Sequence, residues 1–126
     1  MRSSLIVFLG AGVGGTLRHL FNAGVTSLYG PGFPLGIMLI NIIGSTVMGL
    51  AAGWFAFKGD ASLDTRLFLT TGVLGGFTTF SAFSFDAALL YERGQPWLAL
   101  FYVVGSVVFS IAGLALGLWA MRGASA

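Results

Sequence analysis

Charged residues in this chain are so widely spaced that they limit its fold more than any other feature. Residues 3–17, 19–57, 67–85 and 94–121 contain no Asp, Glu, Lys or Arg. A helix that crosses a bilayer needs about 20 mostly apolar residues. The run 19–57 is too long for one crossing, and Gly30-Pro31-Gly32 with Pro34 divides it. The pattern predicts four helices over 4–28, 34–57, 64–91 and 96–120, in a single domain spanning 1–126. Composition agrees: 56% of the residues are hydrophobic and 8% charged, against about 25% charged in a soluble domain. Six basic and four acidic side chains cannot clothe a small water-soluble body, which is mostly surface. The expected fold class is therefore an all-α integral membrane protein.

The N-terminus opens like a secretory signal, with Arg2 followed by the apolar stretch Leu5 to Leu9. Its glycine-rich continuation runs into Arg18-His19, and removing it would leave an odd number of spans, so it is read as a span. Tyr29, Trp54, Tyr91, Trp97 and Trp119 fall near predicted helix ends, where aromatic belts sit. Arg2, Lys58, Arg66 and Arg122 fall on one side of the membrane and Arg93 on the other, which favours cytoplasmic termini.

The same inventory excludes most chemistries. There is no Cys, which rules out disulfides, thiolate metal sites and thiol catalysis. One His and four acids leave little for a metal or acid–base site. The basic residues are scattered, so no nucleic-acid partner is expected. Gly10-x-Gly12-x-Gly14-Gly15 lies inside a span and follows no strand, which argues against a nucleotide loop. No nucleophile–base pair stands out, so neither enzymatic activity nor an organic cofactor is expected. The predicted helices 1, 2 and 4 carry no carboxylate. That weakens the alternative reading, a small proton-coupled exporter of cationic compounds, which needs an intramembrane acid. A non-transporting assembly subunit is a third reading.

The third predicted helix is the most informative. In Gly72-Val73-Leu74-Gly75-Gly76-Phe77-Thr78-Thr79-Phe80-Ser81-Ala82-Phe83-Ser84-Phe85, paired glycines and a Thr pair are poor mid-helix material. They fit either a glycine contact face on an unbroken helix or a break. A break frees backbone carbonyls, which survive in a bilayer only when buried in protein or lining a wet cavity. Phe80 and Phe83 share a helix face. Their rings are either packing groups or, with positive edges turned inward, a lining for a small anion. Thr79, Ser81 and Ser84 interleave hydroxyls with those rings. Asn41 is the one interior carboxamide of helix 2, an interhelical hydrogen bond or a donor to an ion. Tyr102, Ser106 and Ser110 form an i, i+4, i+8 polar stripe on helix 4. Arg18, beside His19, and Asp86 are the ionisable groups nearest the membrane interior. Arg18 is a candidate for concentrating anions at a vestibule. Small-xxx-small pairs such as Gly49-x-x-x-Gly53 and Gly113-x-x-x-Gly117 point to tight helix packing with no pore through one subunit. A transported solute would then pass at or beside a subunit interface.

Three stretches resemble the small bacterial fluoride channels, the CrcB-type or Fluc family. They are Gly14-Gly15-Thr16-Leu17-Arg18, then Gly36 to Asn41 with Gly44 and Gly49, and Gly72 to Ser84. The four-span layout is similar over the whole chain. The resemblance implies a dual-topology antiparallel homodimer in the bacterial inner membrane. It implies two pathways for passive fluoride export, which lowers fluoride toxicity, with helix 3 broken near the midplane. It further implies a structural Na⁺ at the dimer centre, held by main-chain carbonyls of Gly75 and Thr78. By motif position it places Asn41, Phe80, Phe83, Tyr102, Ser106, Ser110 and Arg18 at matching family sites, with Thr79, Ser81 and Ser84 beside them. Ile37 and Ala82 stand where the family usually has Thr.

Overall fold

The computed structural model describes residues 1–57 and 59–125, with side chains through Gly123. Lys58, placed by the sequence in the second loop, lies outside the described residues. Every regular element among the described residues is helical. In order they are α1 (Arg2–Tyr29), α2 (Leu35–Phe57), α3 (Leu63–Arg66), a π-helical stretch (Leu67–Leu74), α4 (Gly75–Phe77), α5 (Phe80–Glu92) and α6 (Pro96–Ser125). Four stretches among the described residues are long and apolar enough to cross a membrane: Arg2–Tyr29, Leu35–Phe57, Leu63–Glu92 and Pro96–Gly123. They match the four spans expected from the charge-free runs. The first starts two residues earlier than expected, and α6 runs five residues further.

The turns follow local chemistry. Gly30 ends α1 at φ 84°, and its N–H donates to the Thr26 carbonyl. Gly94 turns the chain after α5 at φ 76°. Both values lie in the left-handed region that glycine enters without a Cβ clash. Ser62 caps α3, its hydroxyl accepting from the Thr65 N–H at 3.2 Å.

α2 packs chiefly on α6, and α1 on the π-helical stretch. Both contacts depend on missing side chains. A Cβ on Gly49 would overlap the Leu114 carbonyl, and one on Gly14 would overlap the Val73 carbonyl. These backbone-to-backbone approaches replace the hydrophobic driving force that lipid does not supply between helices. The small buried core consists of Ile37, Met38, Ile40, Phe83, Leu90, Ala99 and Tyr102. Ile37, one of the two departures from the family's usual threonines, is 6% exposed and belongs to this core.

Several charged side chains have close partners within the described residues. Arg2 pairs with Asp64 at 2.8 Å. The Arg66 and Arg122 guanidinium groups lie over the rings of Phe55 and Phe57, at 5.6 and 5.4 Å from their centroids.

Candidate functional site

In the third apolar stretch the poor helix formers do different jobs. Gly75 and Gly76 are helical, within α4. The residues that leave helical geometry are Thr78 (ψ 156°) and Thr79 (φ −152°, ψ 124°), both extended. Two features hold them there. A Cβ on Gly44 of α2 would overlap the Thr78 methyl, so only glycine lets that residue in. Asn41, one turn earlier on α2, grips Thr79 at two points. Its Nδ2 donates to the Thr79 carbonyl at 3.0 Å, and its Oδ1 accepts from the Thr79 N–H at 2.8 Å. The lone carboxamide of α2 thus replaces hydrogen bonds that a helix would have given Thr79.

This grip redirects neighbouring backbone groups. In a continuous helix the Gly75 carbonyl would accept from the Thr79 N–H, and the Thr78 carbonyl from the Ala82 N–H. The first donor goes to Asn41 and the second to the Thr79 hydroxyl, at 3.1 Å. Gly75 and Thr78 therefore each have a carbonyl released from its helical donor, a hard oxygen of the kind that binds Na⁺. The Arg18 guanidinium donates to the Thr78 carbonyl at 3.4 Å, a long contact that leaves one of its lone pairs free. On the other side, Thr79 caps α5. The first N–H groups of α5 have no carbonyl one turn back, so this helix end is partly positive. The chain at Thr78-Thr79 thus offers carbonyls from one segment and N–H groups from the next.

An open groove of ≈ 470 Å³ runs past this point. It is lined by Gly75, Thr78, Thr79, Phe80 and Phe83, by Asn41 and Ser45 of α2, and by Ser106, Val107, Ser110 and Ile111 of α6. Phe80 is 78% exposed and Phe83 buried, their ring centroids 5.6 Å apart and planes tilted by 50°. The Phe83 ring meets Tyr102 at 5.2 Å, and Tyr102 meets Phe33 edge-on at 5.6 Å. Ser106 and Ser110 have hydroxyl oxygens that are buried yet make no hydrogen bond among the described residues. Buried polar atoms are normally satisfied, so such orphans mark a place for a ligand or water.

The groove thus gathers Asn41, Thr79, Phe80, Phe83, Ser106 and Ser110, together with Gly75 and Thr78. Four expected residues lie off its wall. Tyr102 stands behind Phe83, its hydroxyl near the Asp86 carboxylate without closing a hydrogen bond of standard geometry. Ser84 donates to the Phe80 carbonyl at 2.9 Å. Ser81 is exposed and its hydroxyl lies 3.3 Å from that of Thr79. Arg18 reaches the site from behind, through Thr78. Two contributors escaped sequence reasoning. Ser45 was one hydroxyl among many, though its i+4 spacing from Asn41 was a usable signal. The α5 N-terminus could have been read from Thr79 as a capping residue three before Ala82.

These helices define a multi-pass membrane protein with a groove along one face that mixes polar groups with apolar and aromatic side chains. The chain belongs to the CrcB-like family: the family described as "CrcB-like protein, Camphor Resistance (CrcB)" matches residues 5–118. Among its relatives is the "Fluoride-specific ion channel FluC" of Rhodopseudomonas palustris (strain BisB5), 58% identical over 118 residues, covering 94% of this chain and 95% of the relative. "Fluoride-specific ion channel FluC 2" of Nitrobacter hamburgensis is 55% identical over 118 residues, with the same coverage. "Fluoride-specific ion channel FluC" of Methylobacterium nodulans is 54% identical over 122 residues, covering 97% and 98%.

Proposed function

We propose that this protein is a fluoride-selective passive channel that lets fluoride leave the bacterial cytoplasm through the inner membrane. It is a channel and not an enzyme. The observation that carries the reading is the groove: phenylalanine rings, unpartnered hydroxyls and the N-terminus of α5 converge on one small passage without a fixed anionic group. A fluoride ion shedding water needs hydrogen-bond donors to replace it. The serine hydroxyls and a remaining Asn41 N–H supply them. Ring edges add weak positive potential without a full charge that would trap the ion. Arg18, bonded to the Thr78 wall, adds positive charge beside the passage.

The groove is open along one face, so a second subunit is needed to close it. The working unit is an antiparallel homodimer of two oppositely inserted copies, with two such pathways. Thr78-Thr79 lies halfway along Leu63–Glu92, which supports an interruption near the bilayer midplane. The carbonyls of Gly75 and Thr78 from both copies would hold a Na⁺ at the dimer centre. Bound there, the ion would neutralise carbonyl dipoles and tie the two copies together.

The test is fluoride efflux from liposomes containing the purified protein, followed by a fluoride electrode, with chloride as control. Rapid fluoride efflux that needs only an ionophore for charge balance, with chloride retained, is the expected result. Efflux that instead requires a proton gradient would favour an exchanger. Silence from folded, dimeric protein would overturn the channel reading.

A further inference from the structure

Among the described residues, five hydroxyls are spent on the backbone one turn earlier. Thr16 donates to Gly12, Thr46 to Ile42, Thr70 to Arg66, Thr78 to Leu74 and Ser84 to Phe80, all at 2.6–2.9 Å. This is the usual fate of Ser and Thr in a membrane helix. Ser45 departs from it. It lies within α2, beside the back-bonded Thr46, and lines the groove with no hydrogen bond to the rest of the described chain. Its hydroxyl is not among the buried orphans, so it opens into the passage.

Its position one turn beyond Asn41 gives that freedom a use. Both Asn41 polar atoms are engaged by Thr79, leaving that carboxamide a single N–H. One donor does not replace the water lost by a small, strongly hydrated anion. From the groove geometry we infer that Ser45 is a fluoride-coordinating residue. It forms with the spare Asn41 N–H a two-donor step on the α2 wall, facing the Ser106 and Ser110 hydroxyls of α6. A hydroxyl donating to an anion makes a short, charge-assisted bond, stronger than the neutral bond it would make to a carbonyl. The inference deepens the channel reading and rests on it.

Single-channel recording in planar bilayers separates the two. Ser45→Ala is expected to lower the unitary fluoride current about fivefold, the worth of one ordinary hydrogen bond, with the number of active channels per unit protein unchanged. A structural role would instead reduce the count at constant current. Thr16→Ala, whose hydroxyl is spent on Gly12 outside the groove, should keep the wild-type current. Ser45→Cys retains size with a weaker donor and should give an intermediate current. It decides the matter if the alanine variant does not assemble, because a wild-type current in Ser45→Cys would then overturn the inference. A conducting wild type with undiminished current in Ser45→Ala overturns the role of Ser45 alone. A wild type that passes no fluoride overturns the channel reading and this inference with it.

Discussion

Removing the Asn41 side chain should release the extended pair at Thr78-Thr79. In Asn41→Ala the Thr79 N–H and carbonyl lose their partners together. An unsatisfied buried polar group costs about 1–3 kcal/mol, whereas a side-chain hydrogen bond between membrane helices is typically worth about 0.6 and at most about 1.7 kcal/mol. Thr79 is half-buried and the groove admits water, so the lower scale governs each bond. Two bonds then amount to about 1.2–3.4 kcal/mol, with roughly 2 kcal/mol as a middle value. That is about a 30-fold change in the population of the gripped state. Amide hydrogen exchange in detergent micelles reads it directly. The Thr79 N–H should exchange about 30-fold faster in the variant, while amides in the α2–α6 contact keep wild-type rates. Asn41→Asp separates holding from permeation. Its carboxylate still accepts from the Thr79 N–H, so exchange should stay nearer wild type. Its negative charge, if ionised, should suppress fluoride flux. Unchanged Thr79 exchange in Asn41→Ala would refute the claim that this carboxamide holds the interruption open.

Phe80→Ile should impair fluoride efflux while size-exclusion chromatography shows unaltered assembly; wild-type flux would remove the ring from the pathway. Gly44→Val places methyl groups where Thr78 sits, and overpacking of this kind costs about 1–3 kcal/mol. A drop in melting temperature together with lost flux is expected, and an unshifted melt would contradict the packing described for Thr78. Arg2→Ala removes an ion pair whose arginine side chain is 84% exposed. Exposed pairs are worth about 0–1 kcal/mol, so stability and flux should be unaltered, and a collapse of either would show that this contact anchors α3. Purification with a bulky organic cation in place of Na⁺ should lower the melting temperature of the assembled protein; an identical melt would leave the Gly75 and Thr78 carbonyls without a role in binding Na⁺.

Much of the architecture is legible in the sequence because the bilayer sets one length, and charge-free runs of that length have few alternatives. The turn at Gly30 is legible for a local reason: Gly30-Pro31-Gly32 with Pro34 cannot continue a helix. The site is only partly so. Asn41 is conspicuous as a carboxamide among apolar residues, but its partner is the Thr79 backbone 38 residues away, which no local pattern identifies. Gly75-Gly76 draws attention as weak helix, yet the extended residues are the two threonines after it. Local propensity cannot see Gly44 clearing room for Thr78. The π-helical geometry of Leu67–Leu74 is likewise invisible, because it accompanies close packing against Gly10 and Gly14 of α1. Ser45 and Thr46 show the same limit: adjacent hydroxyls take opposite roles according to which neighbour each one faces.

The grip of Asn41 on Thr79 lies within one polypeptide, and this fixes an order of events during synthesis. α2 leaves the ribosome before the third apolar stretch, so the carboxamide precedes Thr79 toward the membrane. At about 5–20 residues per second, the 38-residue gap is a delay of roughly 2–8 seconds. The acceptor and donor then meet inside a single nascent chain. In the proposed dimer each copy would then reach its partner with the interruption already shaped, so docking need not remodel the backbone. A substitution at Asn41 would be felt first in the newborn monomer, as a hydrophobic segment free to close into one uninterrupted helix, before assembly has begun.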